Sequence, residues 1–236
     1  MLWGAAARHR RIARGFAQRR PWFTRFRIDG RDYGGDTEFA GDYRIRDFER
    51  TFAPAKRILE LGSLEGGQTF ELLKHHGREI VAVEGRADNV ARACYAQRCL
   101  HIRGVRFVHA NLESTPLRSF GQFDVVYCSG LLYHLPRPAA LIDQFAAVAP
   151  AVFVATHYAR DDEVDAELDG MPGRWYGELG LEDPLSGMSA RSFWPVRDAL
   201  IERIRSAGFR RIEVLLDDPT GHPNGAHISL AAWSVT

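Results

Sequence analysis

An acidic residue, a glycine turn and a second acid some twenty positions on are the groups in this chain whose spacing most directly suggests chemistry. The run Arg57-Ile58-Leu59-Glu60-Leu61-Gly62-Ser63-Leu64-Glu65-Gly66-Gly67-Gln68-Thr69 leads from an apolar strand through a glycine-rich turn into a helix. Glycine removes the Cβ that would keep a ligand from backbone N–H groups at the carboxyl end of a parallel strand. A second apolar run, Ile80-Val81-Ala82-Val83, ends in Glu84, where a carboxylate can accept from both hydroxyls of a ribose. The pair points to an adenosine-type cofactor. A pyrophosphate would need the middle glycine of G-x-G-x-x-G, but Leu64 stands there, and Glu65 sets a negative charge beside the expected phosphate. A cation with an amino-acid tail tolerates such a neighbour, and Glu60 could hold its ammonium group by a charge-assisted hydrogen bond.

A second set of residues suits proton transfer. Tyr133-His134 lies beyond the fourth apolar run and His157-Tyr158 beyond the fifth. Imidazole titrates near neutrality, so His134 is the leading base for a hydroxyl acceptor, with Tyr133 beside it and His157 as the second candidate. The competing reading is that His134 fixes a loop and that both tyrosine rings pack the cleft wall. Between about 159 and 195 lies a long connection with its own aromatics. Together with Tyr158, its Arg174, Trp175, Tyr176 and Trp194 offer flat faces and hydrogen-bond donors to a sugar or ring acceptor. Anchoring the loop itself is an equal use for them. The carboxylates from Asp161 to Asp169 lack His or Cys partners at metal-ligand spacing, so no metal is expected.

In order along the chain, these segments resemble a class I S-adenosylmethionine-dependent methyltransferase. After Val105-Arg106-Phe107-Val108-His109 comes Ala110-Asn111-Leu112-Glu113-Ser114-Thr115-Pro116-Leu117, similar to the family's G-D-A-E-x-L-P-F segment. Phe123-Asp124-Val125-Val126-Tyr127-Cys128 and Ser129-Gly130-Leu131-Leu132-Tyr133-His134-Leu135-Pro136 resemble its fourth strand and the L-x-H-L segment beyond. The likeness covers roughly 54–158. It implies S-adenosyl-L-methionine as cofactor, held by Glu60, Gly62, Gly66, Glu84, Asn111, Leu112 and Ser129. Asn111 replaces the family's acid but still offers an oxygen to the adenine amine. It also implies an α/β, Rossmann-like fold: a mostly parallel seven-stranded sheet closed by an antiparallel hairpin. The hairpin is expected from Ile212–Leu216 and His227–Trp233, after a helix over about 196–207 with Val196, Leu200 and Ile204 on one face. The expected reaction is O-methylation of a small ring-bearing metabolite. Gly130-Leu131-Leu132-Tyr133-His134 is also similar to the corresponding segment of enzymes that alkylate wobble uridine in tRNA, which makes RNA the alternative acceptor. A catalytically silent cofactor-binding scaffold is the third reading.

The whole chain of 236 residues, 45% of them apolar, fits one domain with additions: a basic extension or cap at 1–50 and a methyltransferase domain at 51–236 with a lid-like insertion at about 159–195. Residues 1–28 hold eight arginines and no acid, which leaves the remainder at −7 in a chain of net charge +1. Such an arm suits RNA through its phosphates, an anionic surface or an Arg-rich organelle-targeting peptide, or a solvated helix that caps the cleft. No apolar run is long enough for a membrane span. Cys94, Cys99 and Cys128 form no paired framework, which suits a reducing cytoplasm. Oligomeric state is not legible.

Overall fold

The apolar runs of the sequence become the strands of one central sheet. The structure is a computed structural model that describes residues 2–74, 78–220 and 224–234. It opens with α1 (Leu2–Ala17), a hairpin of β1 (Arg25–Ile28) and β2 (Arg31–Gly34), and α2 (Tyr43–Phe52). Asp42 caps α2 by accepting from the Arg44 N–H at 2.9 Å. Alternation follows: β3 (Arg57–Leu61), α3 (Gly67–Leu72), β4 (Glu79–Glu84), α4 (Ala87–Leu100), β5 (Val105–His109), β6 (Val125–Ser129), α5 (Pro138–Ile142) and β7 (Ala151–His157). The chain then forms β8 (Ala166–Leu168), β9 (Met171–Gly177), β10 (Arg191–Pro195), α6 (Arg197–Ser206), β11 (Arg211–Asp218) and β12 (His227–Trp233).

The main sheet has the order β11-β12-β7-β6-β3-β4-β5. Its strands are parallel from β7 to β5, and β12 and β11 pair antiparallel at the far edge. This is the expected seven-stranded, mostly parallel sheet with a terminal hairpin. Side chains alternate across it with period two. Leu59, Leu61, Val126, Cys128, Val152 and Val154 pack on one face with Leu141 of α5 and Leu200 and Ile204 of α6. Ile58, Val125, Tyr127 and Phe153 pack on the other with Ile45, Phe48 and Phe52 of α2. Both faces are covered, which is why these strands read as continuous apolar runs rather than alternating ones.

Two features differ from expectation. The 159–195 insertion is a three-stranded antiparallel sheet, β10-β9-β8, rather than a loop. The N-terminal segment is packed structure: Ile12, Phe16, Phe26 and Ile28 form a cluster with Phe70 of α3 and Ala96 of α4. No helix of the described residues is long and apolar enough to cross a membrane.

Candidate active site

The strand order reverses between β3 and β6, and the crevice at that switch point is where open α/β sheets bind ligands. A cavity of about 570 Å³ lies there. Its floor is built from successive strand ends: Gly62 and Ser63 after β3, Glu84 of β4, Asn111 and Leu112 after β5, Ser129 of β6 and His157 of β7. Gly62 has φ +78°, and a Cβ there would stand 3.2 Å from that of Leu131. Leu64 takes the left-handed conformation too, at φ 49°, where glycine is usual. Its N–H donates to Oε2 of Glu84 at 2.9 Å, while Oε1 accepts from the Arg86 N–H at 2.9 Å and from Asn89 at 3.3 Å. Burial raises the Glu84 carboxyl above its usual range, and these donors oppose that. The Ser63 hydroxyl is buried without a partner and lines the cavity. Asn111 folds its side-chain oxygen onto the Glu113 N–H at 2.9 Å, and Asn111 lines the same wall.

Arg44, which the sequence reading missed, also lines the cavity. Asp42 fixes its guanidinium through hydrogen bonds of 2.6 and 3.0 Å. With the Gln68 amide oxygen turned toward Arg44, it accepts at 2.9 and 3.1 Å while the amide nitrogen donates to Ser129. The cue was weak: an arginine two residues after a capping Asp, in a chain where arginine is the common cation.

Several expected site residues lie elsewhere. Glu60 points to the α2 face of the sheet, buried outside the cavity lining with Oε2 unpartnered. Gly66 also stays outside the lining: a Cβ there would meet Phe107 at 2.9 Å and Phe70 at 3.1 Å, so close packing explains the glycine. Glu65 turns away from the crevice and accepts from the N–H groups of Phe23 and Thr24 at 3.0 and 2.7 Å, so its charge does not face the ligand position. Tyr158 packs into the core and donates to Asp217 at 2.8 Å. The strand period separates the β9 aromatics: Arg174 and Tyr176 share one face with Trp194, while Trp175 lies opposite, against Phe193 and under Arg191. Trp194 is 2% exposed, stacked with Tyr176 and His157 and carrying the Arg174 guanidinium 4.6 Å from its ring. Trp194 nonetheless lines the cavity. Tyr176, at 40% exposure, lines the cavity itself.

Tyr133, His134 and His157 are brought together on one wall, with ring centroids 4.1 Å apart for Tyr133 and His134 and 4.6 Å for Tyr133 and His157. Nδ1 of His157 lies 3.1 Å from the Ala226 carbonyl. Nδ1 of His134 lies 3.0 Å from Oε1 of Glu178. A carboxylate only accepts, so this contact puts a ring proton on Nδ1, and in the neutral ring Nε2 then keeps the lone pair. Burial alone would raise the Glu178 carboxyl, but bonds from His134, Ser186 and the Gly187 N–H outweigh it and hold the group down to about 2.

Comparison with known proteins decides what such a cavity belongs to. A family model described as a methyltransferase domain matches residues 59–150. The crystal structure of the N-terminal domain of EvdMO1, in the presence of SAH and D-fucose, is 32% identical with a TM-score of 0.86, over 96% of this chain and 97% of that one. The chain belongs to the class I S-adenosylmethionine-dependent methyltransferases. This methyltransferase aligns with 47% of the longer chain in the crystal structure of EvdMO1, at 31% identity and a TM-score of 0.75 over 95% of its own length. A ubiquinone biosynthesis O-methyltransferase of Psychrobacter arcticus is 31% identical over 97 residues, 40% of this chain and 37% of that protein. The methyltransferase thus matches little more than a third of that curated relative. Its cofactor is S-adenosyl-L-methionine. The crevice suits that group: a left-handed glycine, an unpartnered Ser63 hydroxyl and a carboxylate at the end of β4 all meet at one rim.

Proposed function

We propose that this methyltransferase transfers the methyl group to a hydroxyl of a small, ring-bearing acceptor, with His134 as general base and Glu178 as its positioning residue. The contact between Nδ1 of His134 and Glu178 carries this reading. In the same reading Gly62, Ser63, Glu84, Asn111, Leu112 and Ser129 hold the cofactor. Glu84 takes the ribose hydroxyls, and the Arg44 guanidinium faces the carboxylate of the amino-acid tail. The cofactor supplies an activated methyl on a good leaving group. What remains for the protein is to orient the acceptor and take its proton. Nε2 of His134 receives the proton as the acceptor oxygen gains the methyl group, and ionised Glu178 steadies the imidazolium. Tyr176 gives the acceptor ring a flat wall. The Psychrobacter O-methyltransferase supports oxygen as the methylated atom, and the D-fucose present with the EvdMO1 domain supports a sugar-like ring.

Turnover of S-adenosylmethionine against hydroxylated ring compounds tests this. His134→Ala should lower turnover by about 10²–10⁴-fold with S-adenosylhomocysteine affinity nearly unchanged. Glu178→Gln should lower it by about tenfold or more and change its pH profile, since the amide cannot balance an imidazolium. Full turnover in the alanine variant, or a preference for a nitrogen or carbon acceptor, would overturn the assignment.

A further inference from the structure

Large apolar side chains are exposed at six described positions: Val164, Tyr176, Leu179, Leu181, Leu185 and Val214. Four of the six fall within residues 176–185, with Leu179 at 67%, Leu181 at 71% and Leu185 at 42%. Clustered exposure of that kind marks a binding surface, whereas scattered apolar residues do not. The segment is also pinned. The Arg86 guanidinium donates to the carbonyls of Gly180, Asp183 and Ser186 at 2.8, 2.9 and 2.8 Å. Glu178 holds the near end through the Ser186 hydroxyl and the Gly187 N–H, and Met188 packs over Gly85. The leucines are therefore displayed by a fixed backbone.

Tyr176, Leu179 and Leu185 line the same cavity as His134, and Leu179 directly follows Glu178, the residue bonded to His134, so the apolar stretch adjoins the acceptor site. His134, Glu178, Arg44 and Ser129 give this cavity polar groups, and the exposed Leu179, Leu185 and Tyr176 give it an apolar stretch. We infer that the acceptor is amphiphilic: a hydroxylated ring reaches His134 while an apolar substituent on that ring lies along Leu179, Leu185 and Tyr176 at the mouth. This rests on the hydroxyl-transfer reading above. It adds a substrate class that the base alone does not specify.

Isothermal titration of the full chain, with S-adenosylhomocysteine present, compares methyl and hexyl D-fucosides. The hexyl compound should bind at least about tenfold more tightly, because its chain leaves water on an apolar rim. That advantage should collapse toward parity in Leu179→Ser/Leu185→Ser, with thermal melting checking the fold. If that variant does not fold, Leu179→Ala/Leu185→Ala takes its place. Equal affinity of the two fucosides, no measurable binding of the hexyl compound, or an advantage that survives the substitutions would overturn the inference. So would sedimentation showing that the leucines are covered by a second copy of the chain. Transfer from S-adenosylmethionine is followed on the same samples. Selective hexyl binding without methylation would sink the hydroxyl reading while leaving the apolar subsite in place.

Discussion

A carboxylate with 2% of its side chain exposed is costly to keep charged, and Glu178 is kept so by four donors: His134, Ser186, Ser192 and the Gly187 N–H. Its folded pKa of about 2 lies below the ordinary 4.5, so the stabilisation is full above 4.5 and is lost as pH falls toward 2. Such a group stays ionised wherever the enzyme works, and that fits it to orient an imidazole. Nothing in the sequence marked it, because it stands 44 positions from His134 in a segment without a motif. Glu84 is the contrasting case: an acid ending an apolar strand is visible in sequence, and its environment explains its place. Two backbone N–H groups and Asn89 already fix the carboxylate, so a ribose would meet oriented oxygens. Glu84→Ala should weaken S-adenosylhomocysteine binding by about 1–3 kcal/mol, as for hydrogen bonds to a charged group. Titration calorimetry that returned the wild-type affinity would remove Glu84 from the cofactor site.

Elements explain where the remaining carboxyl went. Glu60 is on β3, and period two puts it on the same face as Ile58, beside Tyr127 of β6 and Thr69 of α3 and outside the cavity lining. Burial pushes its pKa up to about 7. Between 4.5 and 7 the folded chain therefore binds more protons than the unfolded one, and stability falls as pH rises through that window. The loss is on the order of 3 kcal/mol. Without cofactor, Glu60→Gln should match the wild type near pH 5 and melt at a higher temperature near pH 8. Identical pH dependence in the two proteins would show that Glu60 is not protonated in the folded state. The strands of the main sheet were legible because each is an apolar run covered on both faces. The insertion was not, since β9 mixes Pro172, Gly173 and Gly177 with aromatics, and its pairing with β10 is a tertiary fact. That hidden pairing also sets which aromatics face the cavity: reading Trp175 and Tyr176 together ignored that neighbours on a strand face opposite ways.

At the scale of the molecule, eight arginines in the first 28 residues read as an arm, and the fold uses that arm as a wall. Arg8 pairs with Asp29 at 2.7 Å, and the Arg19 guanidinium lies 4.2 Å from the Tyr95 ring. Arg92 of α4 donates to the Arg19 carbonyl at 2.8 Å. Phe23, Thr37 and Phe39 close one side of the cavity, and Glu65 ties Phe23 and Thr24 to the glycine turn. A segment bound in this way should couple stability to cofactor affinity. Phe16 is buried among Trp22, Phe26, Tyr33 and Tyr95, so Phe16→Ala should cost about 3–5 kcal/mol and lower the melting temperature. Removing residues 1–28 should lower both stability and S-adenosylhomocysteine affinity, because it takes away the groups that hold Glu65. An arm that served RNA instead would give a different pattern: a well-folded truncation with full cofactor affinity, and loss of an RNA binding that in the intact chain falls steeply with salt. Thermal melts, calorimetry and a salt titration on the two variants separate the outcomes. Unchanged melting and affinity in the truncated chain would show that the arm is not part of the cofactor site.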